Sequence, residues 1–449
     1  MHPSPHQPKP SAPPFDQLLP ELQRTLAEEN YHTPTPIQAE SIPHLLAGRD
    51  LIGCAQTGTG KTAAFTLPLL QHLIKNRQRP QPNHPRALIL APTRELAAQI
   101  GDSITTYGRG LRLRHWVIYG GVGQNPQVQA ARRGLDILVA TPGRLLDLMN
   151  QGHLNLKLVE IVILDEADRM LDMGFFPDIR RILSRIPPQR QSLLFSATMP
   201  KEVRELAETF VRDPVTISIQ PEKPAVERIE QKIMFVSKTN KITLLTNLLA
   251  DPTLDKVVTF IRTKHNADKL ARKLQQAGIT VAAIHGNKGQ GARAQALAGF
   301  RDGRVRVLVA TDIAARGLDI EGVTHVINFD LPNEPETYIH RIGRTARAGA
   351  DGQALSFCSA EERDDLRAIE RLLGKPIPPD TTHPYHDSDA QFAKGQAARR
   401  PPPGGRQRNP KPGNAPHKPA HTQNPAKRAA RIGFAFRKRK QRRSGRGEY

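Results

Sequence analysis

Eight consecutive residues, Ala55-Gln56-Thr57-Gly58-Thr59-Gly60-Lys61-Thr62, join glycines and small side chains to a lysine and a hydroxyl. They follow an apolar run and precede a helical stretch. That is the setting of a phosphate-binding loop, in which backbone amides at a helix amino terminus cradle phosphate oxygens. Lys61 would there neutralise the β- and γ-phosphates of a nucleotide, and the Thr62 hydroxyl would bind magnesium. Ala55 stands where such loops usually begin with glycine, a change that a loop working through its backbone tolerates. A second constellation, Asp165-Glu166-Ala167-Asp168, follows the apolar run Ile161–Leu164. Asp165 would emerge beside the phosphates and hold magnesium through water, while Glu166 would orient or deprotonate the attacking water in phosphoryl transfer. Charge building on the transferred group also needs a cationic partner. His340-Arg341-Ile342-Gly343-Arg344-Thr345-Ala346-Arg347 packs three arginines into eight positions, and Arg344 and Arg347 are the candidate fingers on the γ-phosphate. Because they lie in the other half of the chain, hydrolysis would depend on two domains closing.

Positioning these groups calls for strands that all deliver their carboxyl ends to one edge. Short apolar runs at 50–54, 87–91, Ile137–Ala140, Ile161–Leu164 and 193–195 alternate with helical stretches and read as buried parallel strands. The pattern resumes at 257–261, Val281–Ile284, Val307–Ala310, 325–329 and 354–358. Gln56, Pro92, Thr141, Asp165 and Ser196 follow the first set; Arg262, His285, Thr311 and Asp330 follow the second. Doubly wound sheets bind ligands at such an edge.

At 449 residues and 38% hydrophobic content the chain can build two domains. The expected organisation is a Pro-rich flexible leader at 1–14, a nucleotide-binding domain at 15–219, a linker at 220–228 with Pro221 and Pro224, and a second domain at 229–374. A disordered basic tail is expected at 375–449. The formal charge of +22 calls for a polyanionic partner, and from Gln391 onward 17 lysines and arginines face the single acid Glu448. No apolar run approaches the roughly 20 residues that span a bilayer. Cys54 and Cys358 sit in different domains, which argues against a disulfide framework and fits a reducing cytoplasm.

In these ordered motifs, from about Phe15 to Gly374, the chain resembles the DEAD-box RNA helicase family. The resemblance implies two tandem RecA-like domains, ATP and Mg2+ as cofactors, and RNA as partner. Thr35-Pro36-Ile37-Gln38 is similar to the family's adenine-reading motif, with Gln38 on the base, Tyr31 stacking and Phe15 in support. The same resemblance assigns RNA contacts to Pro92, Thr93 and Arg94 within Pro92-Thr93-Arg94-Glu95-Leu96, to Gly120 and Gly121, and to Thr141, Pro142 and Arg144. In the second domain it assigns them to Arg262, Gly286, Gln290, Arg293, Thr311 and Asp312, with Asp319 on the ATP ribose. Ser196 and Thr198 would couple hydrolysis to RNA. Backbone-directed residue types such as these imply largely sequence-independent binding. Asn287 stands where many members carry Asp and Ala346 where glycine is frequent; with Arg169-Met170-Leu171-Asp172-Met173-Gly174-Phe175, the Asn287-Lys288 pair resembles the bacterial RhlE-type branch. The implied activity is ATP hydrolysis that locally separates short RNA duplexes or remodels RNA–protein complexes, in ribosome assembly or RNA decay. A DNA translocase and an ATP-independent RNA chaperone are the rival readings. Gln38 with Asp165 and Asp168 speaks against the first, and intact Lys61, Glu166 and Arg344 against the second.

Overall fold

The structure, a computed structural model, describes residues 12–56, 58–219, 229–312, 322–346 and 352–393. The leader to residue 11, the linker 220–228, Thr57, Asp319, Arg347 and the chain from 394 onward lie outside the described residues. Among the described residues, thirteen strands form two sheets. The first holds β1 (Leu51–Cys54), β2 (Ala87–Leu90), β3 (His115–Ile118), β4 (Ile137–Ala140), β5 (Ile161–Leu164), β6 (Gln191–Ser196) and β7 (Val215–Ser218) in the order β3-β4-β2-β5-β6-β1-β7. The second holds β8 (Ile229–Phe235), β9 (Val257–Phe260), β10 (Val281–Ile284), β11 (Val307–Ala310), β12 (His325–Asn328) and β13 (Gly352–Cys358) in the order β10-β11-β9-β12-β13-β8. Every pairing is parallel. This is the doubly wound arrangement expected from the apolar runs.

The strands that the runs announce are those buried on both faces: β2, β4, β5, β9 and β11 are buried at every position. Helices cover both faces of such sheets, so every residue of a central strand must be apolar. Three strands lie outside the expected set, and all three are at edges or beside the linker. β3 exposes Trp116, β7 exposes Thr216 and Ser218, and β8 begins Ile-Glu-Gln-Lys with Glu230 exposed. Polar and exposed residues interrupt the apolar signal in these three, whereas β10, also at an edge, keeps the run Val281–Ile284 between two helices.

The second domain also runs past the expected boundary at 374. Ile233 donates its amide to the Pro378 carbonyl, Asp380 and Asp387 donate theirs back to β8, and Ile377 and Ala390 are buried in the adjoining core. A short helix, Ser388–Phe392, closes this extension.

At the amino-terminal edge of the first sheet, remote from the loops that follow the strands, Arg86 bridges Glu160 through Nε at 2.7 Å and Nη2 at 3.1 Å. His72, on the helix Lys61–Lys75, reaches the same carboxylate at 3.0 Å. Burial alone would raise the Glu160 carboxyl, but the His72 and Arg86 hydrogen bonds outweigh it and hold the group down at about 2. A carboxylate whose folded value lies below its unfolded one stabilises the fold above the unfolded value, and the gain is lost as pH falls through the folded one. Stability should therefore fall between about pH 5 and 2 by about 1–2 kcal/mol from this group, after allowing for screening at a partly exposed site. Urea midpoints should show a shallower acid slope in Glu160→Gln than in the native chain; equal slopes would remove this cluster from the pH response.

Candidate nucleotide and nucleic-acid site

Strand order brings the first-domain motifs together. β1 lies next to β6, and β6 next to β5, so the loops after them are neighbours. The Ala55 amide donates to the Ser196 carbonyl at 3.0 Å, joining the phosphate loop directly to the Ser196-Ala197-Thr198 stretch. Gly60 caps the following helix with φ of +92°, a left-handed conformation that glycine adopts without Cβ strain. A Cβ there would also collide with the Gln38 carboxamide and lie 2.9 Å from the Thr35 hydroxyl. Glycine is thus what lets Gln38 reach the loop. Lys61 is buried and donates from Nζ to the Ala55 carbonyl at 2.8 Å, which holds the ammonium across the loop.

Gln38 is fully buried and ties three parts together. Its Oε1 accepts from the Thr35 amide at 2.9 Å, and its Nε2 donates to the Tyr31 hydroxyl at 2.7 Å and to the Gly60 carbonyl at 3.0 Å. Tyr31 in turn packs on the buried Phe15, ring centroids 5.8 Å apart. The four residues of the expected adenine motif, Thr35 included, form one unit with the phosphate loop.

Asp165 follows β5, is buried, and its Oδ1 has no hydrogen-bond partner among the described residues. Burial pushes its carboxyl up, Lys61 pulls it down, and Glu166 pushes it up again. A buried carboxylate oxygen without a donor, near the Lys61 ammonium, fits a hard divalent cation, since Mg2+ takes oxygen ligands. Glu166 adopts a left-handed conformation, φ of +56°, and pairs with Arg169. Such backbone costs a non-glycine residue about 1 kcal/mol or more and is concentrated at working sites. The Asp168 carboxylate accepts from the Thr198 amide at 2.8 Å and the Thr198 hydroxyl at 2.9 Å, while the Asp168 amide donates to Ser196 Oγ at 3.1 Å. Ser196 and Thr198 therefore touch the acidic motif through Asp168.

Arg94, Gly121 and Arg144 converge on one loop. Gly121 has φ of +78°, and a Cβ added there would strike the Arg94 guanidinium. Arg144 donates to the Val122 carbonyl at 3.2 Å, while its Nη1 has no partner among the described residues. Thr93 and Thr141 cap the helices that start there, Thr93 accepting the Leu96 amide and Pro142 opening the other helix. Gly120 has open space around its Cα.

The second-domain candidates are more heavily engaged than their residue types suggest. Arg262 donates to the Leu331 carbonyl at 2.7 Å and to Asp365 at 3.1 Å. The Asp312 carboxylate is gripped at both oxygens by Arg341, at 2.6 and 2.8 Å, and Arg341 also holds Asn328 and the Asp330 carbonyl. Arg341 thus braces the loop carrying Thr311, whose amide meets the Ile284 carbonyl, against the arginine-rich segment. Arg344 is buried just beyond that helix, and Gly286 is exposed after β10.

Glu95 is the residue that sequence reasoning left without a role. Arg293 meets it at 2.8 Å and Gln290 donates to it at 3.4 Å, so two second-domain side chains face a first-domain carboxylate. Both ends of the ion pair are buried, yet Arg293 Nε and Gln290 Oε1 have no partner among the described residues. Its signal was its place beside Arg94 in 92–96. Removing one partner of a buried pair strands the other charge. Arg293→Ala should therefore separate the domains, raising the radius of gyration in X-ray scattering, and the exchange Glu95→Arg with Arg293→Glu should restore it. An unchanged radius in Arg293→Ala would show that the pair does not hold the domains.

A DEAD/DEAH box helicase model matches residues 35–206, and a helicase conserved C-terminal domain model matches 240–349. The chain is 45% identical over 355 residues to the DEAD-box ATP-dependent RNA helicase CshA of Bacillus licheniformis, covering 79% of this chain and 72% of that one. It is 46% identical over 350 residues to the protein of the same name from Bacillus cereus, covering 78% of this chain and 66% of that one. Among solved structures, Saccharomyces cerevisiae Dbp5 bound to RNA and ADP BeF3 superposes with a TM-score of 0.71 at 34% identity, over 83% of this chain and 96% of that one. With the phosphate loop, the acidic motif and the arginine-rich segment carried on two parallel sheets, this chain belongs to the DEAD/DEAH box helicase family.

Proposed function

We propose that the protein is an ATP-dependent RNA helicase that hydrolyses ATP when RNA is bound and separates short duplexes locally. The observation that carries the reading is the buried Asp165 carboxylate, one oxygen unpartnered among the described residues, within the electrostatic reach of Lys61. Those groups match a magnesium nucleotide and would be poorly satisfied otherwise. The similar Dbp5 structure contains RNA and ADP BeF3.

Thr62 and Asp165 would hold Mg2+, which when bound offsets the negative charge of the phosphates. Lys61 adds charge at the outer phosphates, exchanging its bond to Ala55 for phosphate oxygen. Glu166, anchored by Arg169, orients the attacking water and can take its proton. Gln56, Thr57, Gly58, Thr59 and Gly60 complete the cradle. Adenine's amino group matches the remaining lone pair of Gln38 Oε1, where guanine presents a carbonyl. Arg344 and Arg347 answer the charge that builds on the γ-phosphoryl group, and Asp319 binds the ribose. Arg344 belongs to the second domain, so water attack is favoured only when the domains meet.

RNA is proposed to cross Thr93, Arg94, Gly121, Thr141 and Arg144, then Arg262, Gly286, Gln290, Arg293 and Thr311. The unpartnered guanidinium N–H groups of Arg144 and Arg293 suit phosphate oxygens from either side. Asp312 serves this path through Arg341. A single backbone-gripping clamp suits local melting. The Asn287-Lys288 pair and the stretch after Asp168 support the RhlE-type branch, although the bacterial relatives compared above bear the name CshA. Work in the cytoplasm on ribosomal precursors or RNA-decay complexes fits this activity. Among the described residues no helix is long and apolar enough to cross a membrane.

Lys61→Ala and Glu166→Gln should both abolish RNA-stimulated ATP hydrolysis, but in different ways. Glu166→Gln should retain nucleotide affinity and stay closed on ATP and RNA, whereas Lys61→Ala should lose most nucleotide binding. Phosphate release and fluorescent-nucleotide titration separate the two, and normal turnover in either variant would overturn the site.

The basic sequence beyond the packed extension, densest at Arg437-Lys438-Arg439-Lys440-Gln441-Arg442-Arg443, is proposed to hold RNA and raise its effective concentration. Truncation after Ala393 spares the helix Ser388–Phe392. It should leave maximal ATPase unchanged while raising the RNA concentration for half-stimulation and flattening its salt dependence, by about 0.7 in slope per lost phosphate contact. Superimposable RNA titrations of the two proteins at low and moderate salt would discard the tether.

A further inference from the structure

The exposed edge of the second sheet is built unlike the others. β10 lies at the end of the strand order, paired on one side with β11. The Thr280 and Ile284 carbonyls accept from the Val307 and Thr311 amides, at 3.0 and 3.3 Å. In a parallel ladder, bonding residues alternate. The amides and carbonyls of Val281 and Ala283 consequently point away from β11, and among the described residues they meet no partner. Proteins usually blunt such an edge with charge, proline or a covering element. This one reads Val-Ala-Ala-Ile.

The edge forms the floor of a groove of about 780 Å³. One wall is the helix Lys264–Gln276, through Ala271 and Gln275; the other is the helix Gln290–Arg301, through Ala292 and Ala296. A strand laid beside β10 would send alternate side chains toward opposite walls, where Ala271 on one side and Ala292 and Ala296 on the other lie among Gln275 and Gln295. Gly299, which also lines the groove, packs so closely that a Cβ would lie 3.1 Å from Val305.

The rim is cationic. Arg272, Lys288 and Arg304 border the groove, with exposed Lys269 and Lys273 on the same helix as Arg272; Arg304 pairs with Asp302 at 2.9 Å and Lys288 with Asp268, so the net positive charge comes from Arg272, Lys269 and Lys273. Asp268 is already engaged by Lys288 at 2.9 Å and His285 at 3.0 Å, and Arg272 has a long contact, 3.4 Å, to the Asp268 carbonyl. A second copy of this chain would bring like-charged rims together, which disfavours edge-to-edge pairing. A peptide backbone matches the free donors and acceptors of Val281 and Ala283 at strand spacing, as a nucleic acid does not.

We propose that the β10 groove docks an extended segment of another protein by strand addition, a segment with small apolar residues at its centre and acidic residues at its ends. The groove lies along the strand, whereas the nucleotide and RNA candidates gather where the strands end, so a docked segment leaves the clamp accessible.

Fluorescence anisotropy on the full chain tests this with a short labelled peptide of central valines flanked by glutamates, a counterpart flanked by lysines, and a single-stranded RNA competitor. The acidic peptide should bind saturably and the basic one at least about tenfold more weakly. Ala283→Pro, which removes an outward amide from an edge strand, and the double variant Arg272→Glu with Arg304→Glu should each weaken the acidic peptide by a similar factor. RNA-stimulated ATP hydrolysis should stay at the native level in both. The charge variant keeps the test valid if the proline variant misfolds. Equal binding of both peptides, native affinity in the charge variant, displacement by RNA, or dimerisation through this edge in sedimentation would overturn the proposal.

Discussion

Parallel pairing imposes a single direction on every strand of a sheet, and in this protein that constraint decides where chemistry can occur. β1 sits between β6 and β7, and β5 sits beyond β6, so the phosphate loop, Ser196 and Asp165 leave the sheet side by side. The bond from the Ala55 amide to the Ser196 carbonyl is the ladder continuing one residue past the strand. No side chain had to be moved there at extra cost. The same logic in the second sheet delivers Arg262 after β9, Thr311 after β11 and Asp330 after β12 to one edge.

Polar groups gathered at such an edge must be satisfied or remain ready for a ligand, because an unmet buried donor or acceptor costs about 1–3 kcal/mol. One network at the second-domain edge is complete. Lys241, buried, donates to the Phe329 carbonyl at 2.7 Å, to Glu362 at 2.7 Å and to Asp330 at 3.2 Å, while Glu362 also accepts from the Leu331 amide and from Ser359. That network fixes Asp330 and, through it, the Arg262 amide. Buried networks complete to this degree rigidify a core. By contrast, Asp165 Oδ1, Arg144 Nη1 and Arg293 Nε remain without partners among the described residues, and all three lie where anion or cation chemistry is proposed. Stability and function thus occupy different parts of the same edge.

The interdomain pair of Glu95 and Arg293 changes how the motifs are understood. Arg293 and Gln290 have residue types suited to a phosphate backbone, yet in this arrangement they also face a carboxylate of the first domain. The proposed RNA contact would then compete with the domain contact for, or share, the same guanidinium. A strand lying across both domains can for that reason influence their closure through ordinary electrostatics, without a long-range pathway.

The central strands, the phosphate loop, the acidic motif and the arginine-rich segment were legible in order along the chain, because each depends on local rules: unbroken apolar runs for strands buried on both faces, glycine where φ is positive, and charge next to a strand end. β3, β7 and β8 were not legible, since their polar or exposed residues break the apolar run that would announce them. Nor was the extension after Gly374, whose few apolar residues, among them Ile377 and Ala390, become meaningful only against β8 and its neighbours. Residue types by themselves determined which groups could bind phosphate, metal or guanidinium. Tertiary structure decided which of them already have partners: Asp312 went to Arg341, Arg293 to Glu95, and Gln38 to Tyr31 and Gly60. A side chain's type sets what it can bond, but its partners come from distant positions brought within about 3 Å by packing, and one-dimensional spacing carries no record of that distance.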